Sequence, residues 1–201
     1  MPILTVNGIG SHHGSGSTDL AQAELTRRGI HAIDVNYKAI SWWQTRWEFA
    51  RVRVATAIEE AAATLPASAP IDVLAHSFGC LGTIQAMRRG LELRHVWFFG
   101  AAVDRDIDLR GLRFRSLTNV CNKSDLALQS ANIFRFGHPM GKLGRDGYSG
   151  PSDPRIENSF WSGYDQEGAD DDWKDHSDYF RGEHLNAWMD RVQAQQDFAR
   201  D

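Results

Sequence analysis

Cysteine is nearly absent from this chain: only Cys80 and Cys121 occur in 201 residues, and both sit in apolar runs. That excludes a disulfide-stapled scaffold and points to two buried, reduced thiols, with a cytoplasmic location as the expectation. Long apolar runs are missing too, and none approaches the roughly 20 residues that a membrane-spanning helix needs. Neither sign of charge dominates, since 22 Lys and Arg face 26 Asp and Glu for a net charge of -4. The basic residues are scattered, so there is no electrostatic footprint of a nucleic-acid binder. Met1-Pro2-Ile3-Leu4-Thr5-Val6 lacks a basic region and a cleavage site, so it reads as a first strand and not a signal peptide. Metal-ligand spacing is lacking as well. His12-His13 has no Cys or acidic partner nearby and reads as a solvated loop pair, and Asp170-Asp171-Asp172 reads as a solvated turn. With neither an internal repeat nor a linker, residues 1–201 are taken as one domain.

What is present is alternation. Apolar, β-branched runs at Ile3–Val6, Ile30–Tyr37, Ile71–His76, His95–Phe99, Leu117–Cys121 and Arg155–Phe160 read as strands. Between them lie helical patterns: Leu20–Arg28 capped by Asp19 and closed by Gly29, a long helix over Trp42–Thr64, and Leu81–Arg89 ending at Gly90. The stripe Trp43, Trp47, Ala50, Val54, Ala57, Ala61 places Trp43 and Trp47 in the core. Leu185, Trp188, Met189 and Val192 mark a last helix. Residues 131–173 lose periodicity and form an irregular region, a candidate lid. Strands alternating with helices imply a doubly wound α/β fold: a mainly parallel sheet of about six strands with helices on both faces.

In such sheets chemistry collects at the carboxyl ends of the strands. The stretch Ile71-Asp72-Val73-Leu74-Ala75-His76-Ser77-Phe78-Gly79 runs from strand through an abrupt turn into a helix, with Ser77 at the apex between small residues. That is the layout of a nucleophile elbow, Gly-x-Ser-x-Gly, with Ala75 in place of the first glycine. A serine hydroxyl needs a base, an acid to orient the base, and donors for the oxyanion. Candidate donors are the N–H of Phe78, at the head of a helix, and that of Ile9 in the glycine-rich loop Asn7-Gly8-Ile9-Gly10. The acid should follow a later strand, where Asp125 fits and Asp104 and Asp106, among arginines, are rivals. The base should follow the acid: His176, between the last strand and last helix, comes before His184 and His138 in order of fit. Gly8, Gly10, His76, Trp42 and Trp161 are weaker candidates for lining a substrate cleft, with His76 read as a packed or lining residue.

Asn7-Gly8-Ile9-Gly10, Ala75-His76-Ser77-Phe78-Gly79, Asn119-Val120-Cys121-Asn122-Lys123-Ser124-Asp125 and His176-Ser177-Asp178-Tyr179-Phe180 resemble lipase-like members of the α/β-hydrolase superfamily. The likeness runs from Ile3 to the last helix. It is to small serine hydrolases, compact like the cutinases and without extra amino-terminal strands. The resemblance implies a serine hydrolase acting on small or lipid-like carboxylic or thioesters without a cofactor, with Ser77 as nucleophile, Asp125 as acid and His176 as base. Two departures, Ala75 and the absence of a His-Gly pair in the first loop, leave the substrate class open. A second reading takes Gly10-x-x-x-Gly14-x-Gly16 and Asp34 as the NAD(P) fingerprint of a short-chain dehydrogenase, although no tyrosine has a lysine four residues on. A third is a hydrolase-like fold kept as a binding module without turnover.

Overall fold

The computed structural model describes residues 1–9, 17–38, 40–46, 48–131, 141–160, 176 and 178–197. Its centre is a six-stranded sheet in which every pairing is parallel. The strands are β1 (Ile3–Val6), β2 (Ala32–Asp34), β3 (Asp72–His76), β4 (Leu93–Phe99), β5 (Phe114–Cys121) and β6 (Ile156–Phe160), in spatial order β2-β1-β3-β4-β5-β6. The helices are α1 (Ser17–Arg27), α2 (Glu48–Ala63), α3 (Phe78–Arg88), α4 (Leu126–Ala131), α5 (Leu143–Asp146) and α6 (Gly182–Asp197). Strand order reverses between β1 and β3, which places the crevice of such a sheet beside the carboxyl ends of those two strands. The order also differs from the 3-2-1-4-5-6 arrangement of dinucleotide-binding folds.

Adjacent strand residues serve opposite layers, because the side-chain period along a strand is two. Leu4, Val73, Ala75, Val96, Phe98 and Leu117 pack with α2 and α3, joining Val54, Ile58, Phe78 and Ile84. Ile3, Leu74, Trp97, Phe99 and Val120 face the other way, against Ala21 and Leu25 of α1 and Trp188, Met189 and Val192 of α6. With both faces covered, the strands carry continuous apolar runs instead of alternating ones. Cys80 and Cys121 are buried free thiols, and burial raises both, Cys121 to about 12.

Several boundaries differ from the sequence reading. The long helix is two pieces: a 3-10 turn at Trp42–Arg46, then α2 from Glu48. The change of helical pitch resets the stripe, which becomes Ala50, Val54, Ala55, Ile58 and Ala62. Trp43 is consequently not in the core but 69% exposed, and Trp47 lies outside the described residues. The first helix begins at Ser17, with Asp19 inside its first turn, and the cap is supplied from β1's end: Thr18 N–H donates to Asn7 Oδ1 at 2.9 Å. Within 131–173 the strand read at Arg155–Phe160 is present as β6, and α5 is an element the sequence reading did not foresee, while residues 132–140 and 161–175 lie outside the described set.

Candidate active site

Ser77 is the one non-glycine residue of positive φ among the described residues, at φ 55° and ψ -122°. Such a backbone is strained by roughly 1–3 kcal/mol and must be held by its surroundings. Three features hold it. Ser77 N–H donates to Phe99 O at 3.0 Å, Ala102 N–H donates to Ser77 O at 3.3 Å, and α3 starts immediately afterwards. A side chain at Gly79 would meet Asn7 O at 2.5 Å and Val6 O at 2.8 Å, so only glycine lets α3 lie this close to β1. Ala75 carries its methyl into the α2–α3 layer and is fully buried.

The glycine-rich loop passes directly over this turn. A Cβ on Gly8 would lie 2.9 Å from Ser77 Cβ and 3.4 Å from Ser77 Oγ, so the absence of a side chain lets the loop backbone approach the hydroxyl. Tyr37, buried after β2, fixes the loop from behind by donating its hydroxyl to the carbonyls of Asn7 and Gly8, the latter at 2.8 Å. Desolvation, with the Asp34 charge, raises the Tyr37 phenol well above its usual range, so it remains a donor. The Phe78 N–H opens α3 and has no acceptor within that helix. Ile9 is half-buried at the end of the described part of the loop.

On the other side of Ser77, the structure brings together Asp125 and His176. Asp125 follows β5 and is wholly buried. Its Oδ1 accepts from Leu128 N–H at 2.9 Å and its Oδ2 meets His176 Nδ1 at 2.5 Å. A charge-assisted contact of that length fixes the imidazole's tautomer and plane, leaving Nε2 as its other nitrogen. The ring lies over Gly100, where a Cβ would be 2.9 Å from His176 Cε1. Gly100, at φ 52°, directly follows Phe99, the residue whose carbonyl holds Ser77 N–H. Asp104 and Asp106 are exposed, and His184 lies in the first turn of α6. His76 is buried in the α1–α6 layer, with ring neighbours His176, Tyr179 and Phe180. Gly10, Trp161 and His138 lie outside the described residues, and of Trp42 only the backbone is described. Among the described residues no group of three or more His, Cys, Asp or Glu is placed to hold a metal, and no helix is long and apolar enough to cross a membrane.

Tyr37 and Ser17 were missed by the sequence reading. Tyr37 had a signal, an aromatic residue closing the strand read at Ile30–Tyr37, but nothing local said that its hydroxyl would reach the first loop.

No family model matches the chain, and no curated protein matches it in sequence. Solved structures do match in fold. An acetyl xylan esterase is similar over 96% of both chains, at 15% identity and a TM-score of 0.50. Est1E from Butyrivibrio proteoclasticus, solved with ferulic acid bound, is similar over 97% of this chain and 87% of that one, at 12% identity and a TM-score of 0.54. The product of gene lin2722 of Listeria innocua is similar over 93% of this chain and 91% of that one, at 10% identity and a TM-score of 0.52. The fold is that of the α/β-hydrolases.

Proposed function

We propose that the chain is a serine esterase working through an acyl-enzyme. The observation that carries this is the buried Asp125–His176 contact at 2.5 Å, seated on Gly100 beside the strained Ser77 turn. In the proposed reaction His176 Nε2 takes the proton of Ser77 Oγ as the oxygen attacks an ester carbonyl. The oxyanion that forms is received by the N–H groups of Phe78 and Ile9. On collapse His176 gives the proton to the departing alcohol, and water then repeats the sequence to release the acid. Asp125 holds the imidazole and stabilises its charged form. The acetyl xylan esterase among the fold neighbours supports the choice of bond but not of acyl group. The substrate is a small or lipid-like carboxylic ester or thioester, and no cofactor takes part in the proposed steps.

A fluorophosphonate probe should label the wild type and leave Ser77→Ala unlabelled; equal labelling would sink the proposal. Asp125→Asn should lower kcat on a p-nitrophenyl ester by about 10⁴-fold, since an amide favours the wrong tautomer of the base. Asp104→Asn should leave kcat near the wild-type value, and the reverse pattern would move the acid to the loop after β4.

A further inference from the structure

One buried titratable side chain at this end of the sheet has no part in the proposed reaction. His76 is the last residue of β3, is 3% exposed, and directly precedes Ser77. Because neighbouring strand residues point to opposite faces, it turns into the α1–α6 layer. Both of its ring nitrogens are engaged there. Nε2 lies 2.9 Å from the main-chain carbonyl oxygen of His176, and Nδ1 lies 2.7 Å from Ser17 Oγ at the start of α1.

The protonation pattern follows from the partners. A carbonyl oxygen only accepts, so Nε2 carries the hydrogen, and a neutral ring must then accept at Nδ1 from the Ser17 hydroxyl. Desolvation, helped by the neighbouring His176, pushes the ring down to about 3, which keeps it neutral and this pattern fixed. The ring also borders the first loop, because a Cβ on Gly8 would come within 3.3 Å of His76 Nδ1. His176 itself sits in a turn, outside any helix or strand. The Asp125 contact sets the plane of its ring, but the main chain that carries the ring needs an anchor of its own.

We infer that His76 is a positioning residue: its imidazole ties the main chain of His176 to the strand that presents Ser77 and to the start of α1, and so sets how far the His176 ring reaches toward the serine. This rests on reading His176 as the base.

The test uses two amides that differ by one methylene. In H76Q the amide nitrogen reaches the place of Nε2 and can still donate to the His176 carbonyl. In H76N the amide sits near the place of Nδ1 and falls short of that carbonyl. Kinetics on p-nitrophenyl acetate, normalised by fluorophosphonate titration, are paired with proton NMR of the downfield resonance on His176 Nδ1 in protein carrying ¹⁵N-histidine. H76Q should keep most of kcat and the resonance. H76N should lower kcat by about 10- to 100-fold with KM nearly unchanged, the scale of a misplacement near 1 Å, and its resonance should broaden through exchange. If H76N matches H76Q in both readouts, His76 is only core and the inference falls while the esterase reading stands. If the wild type hydrolyses no ester and takes no probe but the resonance still separates the two variants, the positioning role stands and the catalytic reading falls.

Discussion

Two imidazoles meet at the carboxyl end of β3, their ring centroids 4.6 Å apart, and their partners differ. His176 has a carboxylate on one nitrogen; His76 has a hydroxyl and a carbonyl, with Ser17 on the α1 side and His176, Tyr179 and Phe180 on the other. Held at about 3 when folded against 6.5 when free, His76 binds fewer protons in the native state across that interval. Stability therefore rises with pH through the window and is lost as pH falls from about 6.5 toward about 3, at up to about 1.4 kcal/mol per pH unit. Urea midpoints measured across this window should fall more steeply for the wild type than for H76Q, which cannot titrate; parallel curves would show that the ring is not held neutral. The sequence could propose Ser77, Asp125 and His176 because each follows a recognisable element and the chemistry constrains their order. It could not pair His76 with Ser17 and His176, which stand 59 and 100 residues away. Nothing in a local pattern encodes a hydrogen bond across that separation.

The layer behind Ser77 depends on how closely α2 and α3 approach. Gly82 of α3 faces Val54 of α2, and a Cβ at Gly82 would overlap both Val54 Cγ1 and Cβ. Overpacking of this kind costs about 1–3 kcal/mol because the neighbour must leave its rotamer or the helices must part. Gly82→Ala should lower the urea midpoint accordingly, in spite of alanine's better helix propensity. Adding Val54→Ala should restore part of the loss, since the new methyl fills space that the valine vacates. A double variant as unstable as the sum of the two singles would mean that the helices do not meet through this pair. The same elements show where periodicity reads well and where it misleads. Ala50 and Val54 are buried as the helical spacing implies, whereas Ala57 and Ala61 of the expected stripe are half-buried and Ile58 and Ala62 take the core positions. Trp43 lies in the 3-10 segment Trp42–Arg46 and not in α2, so the α-helical period of the series does not extend to it. The four-residue α5 is too short to have a period, and its place is set by tertiary contact: Gly144 lies against the backbone of Gly100 and Ala101.

Across the whole molecule, the two ends of the sheet do different work. The carboxyl end gathers the strained turn, the first loop and the Asp125–His176 pair. The amino end is closed by Asp72, the first residue of β3, which is wholly buried. Its carboxylate receives the Arg94 guanidinium through Nε at 2.8 Å and through Nη2, the His95 N–H at 3.0 Å, and the Gln196 amide from the last turn of α6. Next to it Gln195 donates to Ser116 Oγ at 2.9 Å. The foot of α6 is therefore fixed to β3, β4 and β5, while Arg28 of the α1 end holds Asp190 at 2.5 Å. Removing the carboxylate leaves a largely buried guanidinium unpaired, a change that costs about 3–5 kcal/mol. Asp72→Ala should thus lower stability by that order, and hydrogen exchange should show the amides at the end of α6 losing protection before those of β3 and β4. Yet kcat per titratable Ser77 should stay close to that of the wild type. Asp72 and Ser77 are five residues apart on an extended strand, or about 16 Å, and the His176 main chain is held by its own bond to His76. If the remaining native molecules instead lost activity in proportion to stability, the foot of α6 would be part of what places the base, and the two ends of the sheet would not be separable.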